Sequence, residues 1–191
     1  MLNELSENLP RLYEDLNIIK DATKTTLNEQ DLDLMFIMDC TGSMGSWIKA
    51  CQDEIMKIVS MIKDENNCRV RISFVGYTDF DQEFSEFYSI QDFTEDVDLF
   101  SDFLYGVRAR GGGDGAEDVC GGFEKALEQS WSKDSTKVAV IVADAPCHGS
   151  EFHNDKHYSD DHKDGDPRGR CPKKLISKLA EKKIDIYGIK I

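Results

Sequence analysis

The sequence predicts an α/β protein: a doubly wound, mostly parallel six-stranded sheet with helices on both faces. Three features predict it. Residues 32–38 and 136–143 are mostly apolar runs too short for a helix, which suits strands buried on both faces of a parallel sheet. Each run stops on an aspartate, Asp39 or Asp144. Segments of strand length alternate with amphipathic segments of helical period, a pattern that favours parallel pairing with right-handed crossovers.

Residues 1–30 read as an N-terminal helical segment and linker. Leu2, Leu5, Leu9, Leu12, Leu16 and Ile19 follow steps of three and four, a short heptad seam interrupted by Pro10. The plain reading is a helix starting near Pro10 and packing on the domain; self-association through residues 2–19 is the sharper one. Residues 21–30 are polar and read as linker. The first strand, 32–38, gives way to a loop that Gly42 and Gly45 let turn back sharply. Trp47, Ile48, Cys51, Ile55, Ile58, Val59 and Ile62 then recur at helical spacing.

Residues 68–77 alternate and then become apolar, a second strand. Phe84, Phe87 and Tyr88 suit an antiparallel edge strand at 83–90. Thr94 and the acids after it resemble a capping box opening a short helix at 94–104. The glycine-rich loop at 111–115 feeds a helix with Val119, Cys120, Phe123, Leu127 and Trp131 on one face. After the strand at 136–143, residues 145–170 form a long, charge-dense polar loop. Residues 171–183 resume helical spacing, and 184–191 read as a last strand.

Composition narrows the partners. The chain has 191 residues, 40% of them apolar, with 37 acids, 23 bases and a net charge of −14. That excess disfavours nucleic acid or an anionic membrane and favours cations or basic surfaces. The N-terminus lacks a basic region followed by an apolar block, and no run reaches the roughly 18 apolar residues of a membrane span. The six cysteines show no CxxC pairing and read as free thiols of a reducing cytosol, so the expected location is cytoplasmic.

The chemistry-bearing stretch is Asp39, Thr41 and Ser43 at alternate positions after the first buried strand. A carboxylate with neutral hydroxyls is the ligand set of a hard divalent cation, Mg²⁺ or Mn²⁺. The plainer alternative is an aspartate and two hydroxyls capping the next helix. Asp39, the 111–118 loop and Asp144 each follow a strand or open a helix, so a doubly wound sheet gathers them at one edge. Clustered carboxylates there are costly unless a cation compensates.

Asp39-x-Thr41-x-Ser43 resembles the opening signature of a metal-ion-dependent adhesion site in von Willebrand factor A domains. The segment GGGDGAEDVCGGFEKAL is similar to the second site loop of integrin β-type A domains, with Ala116 standing where that family has proline. Asp144 in VADAPCHG matches the aspartate that ends the family's fourth sheet strand. ADAPCHG, FHND and GDPRG resemble the A domains attached to von Willebrand factor A α-kinases. The resemblance implies a Rossmann-like A domain over 31–191, with a further helix beyond the last strand. It implies one cation at Asp39, Thr41, Ser43, Glu117 and Asp144, with an open position for an acidic side chain of a protein partner. It also implies a second cation at Asp114; the charge of the site favours Ca²⁺ there, with Asp79 as a further ligand.

The kinase domain is not among these residues: the chain has neither a glycine-rich phosphate loop nor a lysine–aspartate catalytic set. A phosphatase of haloacid-dehalogenase type is the enzymatic alternative, but Thr41 stands where that chemistry wants a second aspartate. A metal-free scaffold docking through the N-terminal seam is the third reading. His148, His153, His157 and His162 all lie in the long loop. Zinc with Cys147 or Cys171 competes there with ordinary solvated histidines. Arg108 and Arg110 read as structural ion-pair partners of the glycine loop rather than as contacts for an acidic partner.

Overall fold

A computed structural model describes residues 31–65, 68–81, 87–154 and 157–191. The N-terminal seam and linker, and the first half of the edge strand expected at 83–90, lie outside the described residues.

Strand β1 (Leu32–Asp39) is buried along its whole length. It pairs in parallel with β2 (Val70–Tyr77) on one side and β4 (Thr136–Ala143) on the other. Strand β3 (Tyr88–Thr94) runs antiparallel outside β2, and β5 (Ile184–Lys190) runs parallel outside β4. The order is β3-β2-β1-β4-β5. Strand order reverses at β1, so the crevice beyond the carboxyl ends of β1 and β4 is the topological switch point.

Alternation on β1 fills two cores. Leu34, Phe36 and Met38 join Phe74, Val140 and the apolar faces of α1 (Ile48–Glu65) and α2 (Val97–Gly106). Met35 and Ile37 join Val75, Tyr77 and Ala139 under α3 (Val119–Glu128) and α4 (Pro172–Glu181). Helices therefore cover both faces, as a parallel sheet requires.

Three expectations are corrected. The sheet has five strands among the described residues, not six. Between β3 and β4 the apolar residues fall at helical spacing in α2 and α3 and leave no further strand-like run. Among the described residues the edge strand is Tyr88–Thr94, which runs past the expected end at Ile90 because its pairing with β2 extends to Thr94 opposite Ile72. Its outer half, with Gln91 and Asp92, carries little of the apolar signal that marks a buried strand. The helix expected from Thr94 begins at Val97 and is capped by Asp96, whose carboxylate accepts from the amides of Asp98 and Leu99 at 3.0 Å each. Thr94 still belongs to β3.

Two glycines bring α3 close to the sheet. A Cβ on Gly121 would sit 2.1 Å from the Tyr88 hydroxyl, and one on Gly122 would sit 2.7 Å from the Tyr77 ring. This close approach brings Glu117, two residues before the helix, to the end of β1.

Candidate metal centre

Asp39 ends β1 with its side chain fully buried. Its Oδ1 accepts from the Thr41 amide at 2.9 Å and the Thr41 hydroxyl at 2.7 Å. The Thr41 hydroxyl lies 3.2 Å from that of Ser43, which donates to Asp144 Oδ1 at 3.1 Å. A continuous polar chain thus runs from buried Asp39 to Asp144, with exposed Ser43 at its outer end. The five residues after Thr41 form a 3₁₀ turn before α1. Thr41 makes no capping bond there, so its hydroxyl serves Asp39 and Ser43 rather than the helix.

Glu117 reaches the same place from the glycine loop. Its amide donates to Pro146 O at 2.9 Å, which ties the loop to the residues after β4. Gly112, with a φ of +83°, passes so close that a Cβ would meet Glu117 Oε1 at 3.0 Å and Thr41 Cβ at 3.1 Å. Only glycine adopts that backbone without strain and leaves the carboxylate its place beside Thr41. Asp118 holds the base of this arrangement. It caps α3 by accepting from the Gly121 amide at 2.7 Å, receives the Tyr88 hydroxyl at 2.6 Å, and pairs with Arg170 at 2.5 Å. Arg170 also pairs with Asp166 at 2.6 Å.

Within this edge Asp39 Oδ2 and Glu117 Oε2 are buried carboxylate oxygens with no hydrogen-bond partner among the described residues. The Tyr77 hydroxyl, also buried and unpartnered, lies within their field. Burial raises the Asp39 carboxyl to about 7, against the Thr41 hydrogen bonds that lower it. Burial and then the charges of Asp39 and Asp79 raise Glu117 to about 9. Buried carboxyl oxygens without donors, beside neutral hydroxyls, make a donor set that suits a hard divalent cation, whose charge would favour their ionised form.

The second group of expected ligands is divided. Asp79 is buried and paired with His148 Nε2 at 2.8 Å. His148 Nδ1 meets Asp160 Oδ1 at 2.8 Å, and His153 Nε2 meets Asp160 Oδ2 at 2.8 Å. Burial lowers the His148 pKa, but the two carboxylates outweigh it and raise the imidazole to about 9. It therefore stands between Asp79 and Asp160 as a cation at neutral pH.

Asp160 also accepts from the amides of Gly149 and His162, at 2.8 and 2.7 Å. Asp114, His148 and Asp160 come within ligand distance of one another. With two N–H donors on each oxygen, however, Asp160 is a hydrogen-bond hub with little left for a metal. Asp114 Oδ2 accepts from the Asp161 amide at 2.6 Å, while its Oδ1 is buried and without a partner among the described residues. His153 is committed to Asp160 rather than to a cysteine, and Cys147 and Cys171 are free thiols. Arg108 donates to Val107 O at 2.8 Å and Arg110 gives its amide to Cys40 O at 2.8 Å, so both help fix the loop leaving α2.

Sequence reasoning missed the Asp79–His148–Asp160–His153 hub and the Asp118–Arg170–Asp166 clamp. The four histidines in one loop were the available signal for the hub. Nothing local marked the clamp, whose members come from α3 and the far end of the loop.

Comparison with known proteins agrees with this geometry. Residues 33–156 match the von Willebrand factor A domain family. The α-protein kinase vwkA of Dictyostelium discoideum is 35% identical over 170 residues, 88% of this chain and 27% of that protein. A putative ariadne-like RING finger protein, R811, of Acanthamoeba polyphaga mimivirus is 30% identical over 121 residues, 63% of this chain and 12% of that protein. The chain thus spans 27% or less of the length of these two relatives.

Two solved structures show the same fold at low identity. The open form of the pilus adhesin SpaC from Lactobacillus rhamnosus GG gives a TM-score of 0.52 at 14% identity, covering 63% of this chain and 15% of its own. Proximal thread matrix protein 1 of the mussel byssus gives 0.51 at 14% identity, covering 84% of this chain and 35% of its own. With its switch-point site, its sheet order and a family match across most of its length, this chain belongs to the von Willebrand factor A domain family.

Proposed function

We propose that this domain is a divalent-cation-dependent protein-binding module. Domains of this family are generally non-catalytic interaction modules, and relatedness to an α-protein kinase supports a role in recruiting partners for a longer protein. One Mg²⁺ or Mn²⁺ would be held by Thr41, Ser43 and Glu117, with Asp39 and Asp144 acting directly or through water. The cation supplies an exchangeable position that an acidic side chain of a partner can take. The chain's own residues orient it: Gly112 leaves room for Glu117, Thr41 locks Asp39, and Ser43 and Asp144 face solvent.

The observation that carries this reading is the pair of buried, unpartnered oxygens on Asp39 and Glu117. A second cation, Ca²⁺, would draw on Asp114 Oδ1 and on Asp79, where the His148 imidazole competes with it. Six free cysteines fit a cytoplasmic setting, and no helix among the described residues is long and apolar enough to cross a membrane. Calorimetric titration with Mg²⁺ tests the assignment: one site is expected in the wild type and none in Asp39→Ala. Equal Mg²⁺ affinity in the two proteins would overturn it.

A further inference from the structure

Beside the proposed metal edge, a cavity of about 420 Å³ opens to solvent at the carboxyl ends of β4 and β5. Ile141 and Ala143 of β4, Gly188 of β5, and Phe152 and Tyr158 of the long loop line it, with Asp144 on its rim. Its volume suits one large side chain, and its walls are mostly apolar. Two features keep it open. The loop that carries Phe152 and Tyr158 is anchored through His153 to Asp160, and the His153 ring packs edge-on against Tyr158. On the floor, Gly188 presents no side chain.

The cavity and the metal edge share a residue. Asp144 turns its carboxylate toward Ser43, while Ala143 and Ile141 before it form part of the cavity wall. A peptide advances about 3.3–3.6 Å per residue, so a residue next to one bound at Asp144 falls at the cavity mouth. Lys190 also lines the opening, a cation suited to an acidic segment.

We propose that the partner carries a large apolar side chain, aromatic or branched aliphatic, within a residue or two of its acidic one, and that this cavity receives it. The inference rests on the metal-dependent reading above and adds a second determinant to it. The metal edge accepts any accessible carboxylate, whereas the cavity selects among the segments that bear one. Specificity then resides in β4, β5 and the loop rather than in the metal ligands.

Two small carboxylates test the proposal on the full chain: acetate, and 3-phenylpropionate, which adds an apolar arm. Both are titrated at saturating Mg²⁺ and followed by amide NMR shifts. Burying the ring should make 3-phenylpropionate bind about tenfold tighter than acetate, with the extra shifts at the amides of Ala143 and Gly188. Gly188→Leu fills the cavity. It should fold, because a Cβ there meets Ile141 Cγ2 at 3.7 Å, an ordinary contact. In this variant the 3-phenylpropionate affinity should fall to that of acetate, with acetate and Mg²⁺ binding unchanged.

Equal affinity for the two carboxylates in a wild type that binds Mg²⁺ overturns this inference alone. So does a tenfold preference that survives Gly188→Leu. Concentration-dependent shifts at these amides with no carboxylate added make the occupant a second copy of the chain, and also overturn it. Absence of Mg²⁺ binding by calorimetry overturns the metal reading and this inference together.

Discussion

Two aspartates on β1 are almost equally buried and electrostatically opposite. Asp33, near the amino end, is 1% exposed and meets Arg71 in a two-pronged pair at 2.9 and 2.7 Å. It also receives the Ser132 amide at 2.6 Å, so it braces the lower edge of the sheet. Asp39, six residues on, is 0% exposed and among the described residues has only the amide and hydroxyl of Thr41 on one oxygen. The comparison separates two uses of a buried carboxylate. One is neutralised within the fold, while the other has no counter-charge paired with it among the described residues and is the one proposed to meet a cation. Burial therefore does not by itself mark a site; the absence of an internal counter-charge does.

The comparison breaks most visibly at Arg71. Arg71→Ala leaves Asp33 buried with no opposite charge, and urea unfolding should register a loss of about 3–5 kcal/mol. A loss under about 1 kcal/mol would mean that Ser132 alone satisfies Asp33, and the contrast with Asp39 would disappear.

Next in size is the metal itself. At a hundredfold excess over its dissociation constant, Mg²⁺ should stabilise the wild type by about 2.7 kcal/mol. Asp39→Asn should lose that gain while leaving the metal-free protein at least as stable as wild type at pH 8. Destabilisation of the metal-free Asp39→Asn protein would show that the charge on Asp39 is already compensated.

The pH dependence sharpens the contrast. Asp39 keeps its proton in the folded chain up to about 7 and Glu117 up to about 9, whereas unfolded carboxyls release theirs near 4. The folded state thus binds more protons in that window, so metal-free stability should fall as pH rises from about 4 to about 9. His148 adds to the fall at its upper end. Its pKa is raised to about 9, so its contribution is complete below about 6.5 and is lost as pH passes 9. Saturating Mg²⁺ should flatten the carboxylate part and leave the part from His148. Denaturant midpoints measured across pH with and without Mg²⁺ check this, and identical profiles would refute it.

The smallest effect is at Thr41. Thr41→Ala removes one neutral donor, and calorimetry should show Mg²⁺ affinity weakened by about tenfold or less, roughly 1 kcal/mol. Complete loss of binding would make Thr41 a ligand as necessary as Asp39.

Much of the fold was legible, for an identifiable reason. Strands β1 and β4 are buried on both faces and carry continuous apolar runs that end on Asp39 and Asp144. Strand β3 lies at an edge and spells Tyr-Ser-Ile-Gln-Asp-Phe-Thr, so its position depended on pairing with β2 rather than on its own residues. At the candidate site, strand ends localise Asp39, Thr41, Ser43 and Asp144, whereas Glu117 comes from the likeness of the glycine loop to the second site loop of the family. The partner of Asp79 was not legible, because His148 lies 69 residues away and a histidine in a polar loop reads as solvated. Long-range polar contacts of this kind have no sequence period to betray them.

The two glycines of α3 also limit how this domain can drift in sequence. Any side chain at Gly121 or Gly122 would push the helix off Tyr88 and Tyr77, and Glu117, one residue before the Asp118 cap, would be carried away with it. If the proposed cation binds there, a lineage that replaces either glycine stands to lose it before it loses its fold. It would persist as a folded but silent copy, and further changes at Asp39 or Thr41 would then go unselected. On the proposed reading, loss of function through this helix is a one-way step, taken at positions that do not themselves hold the cation.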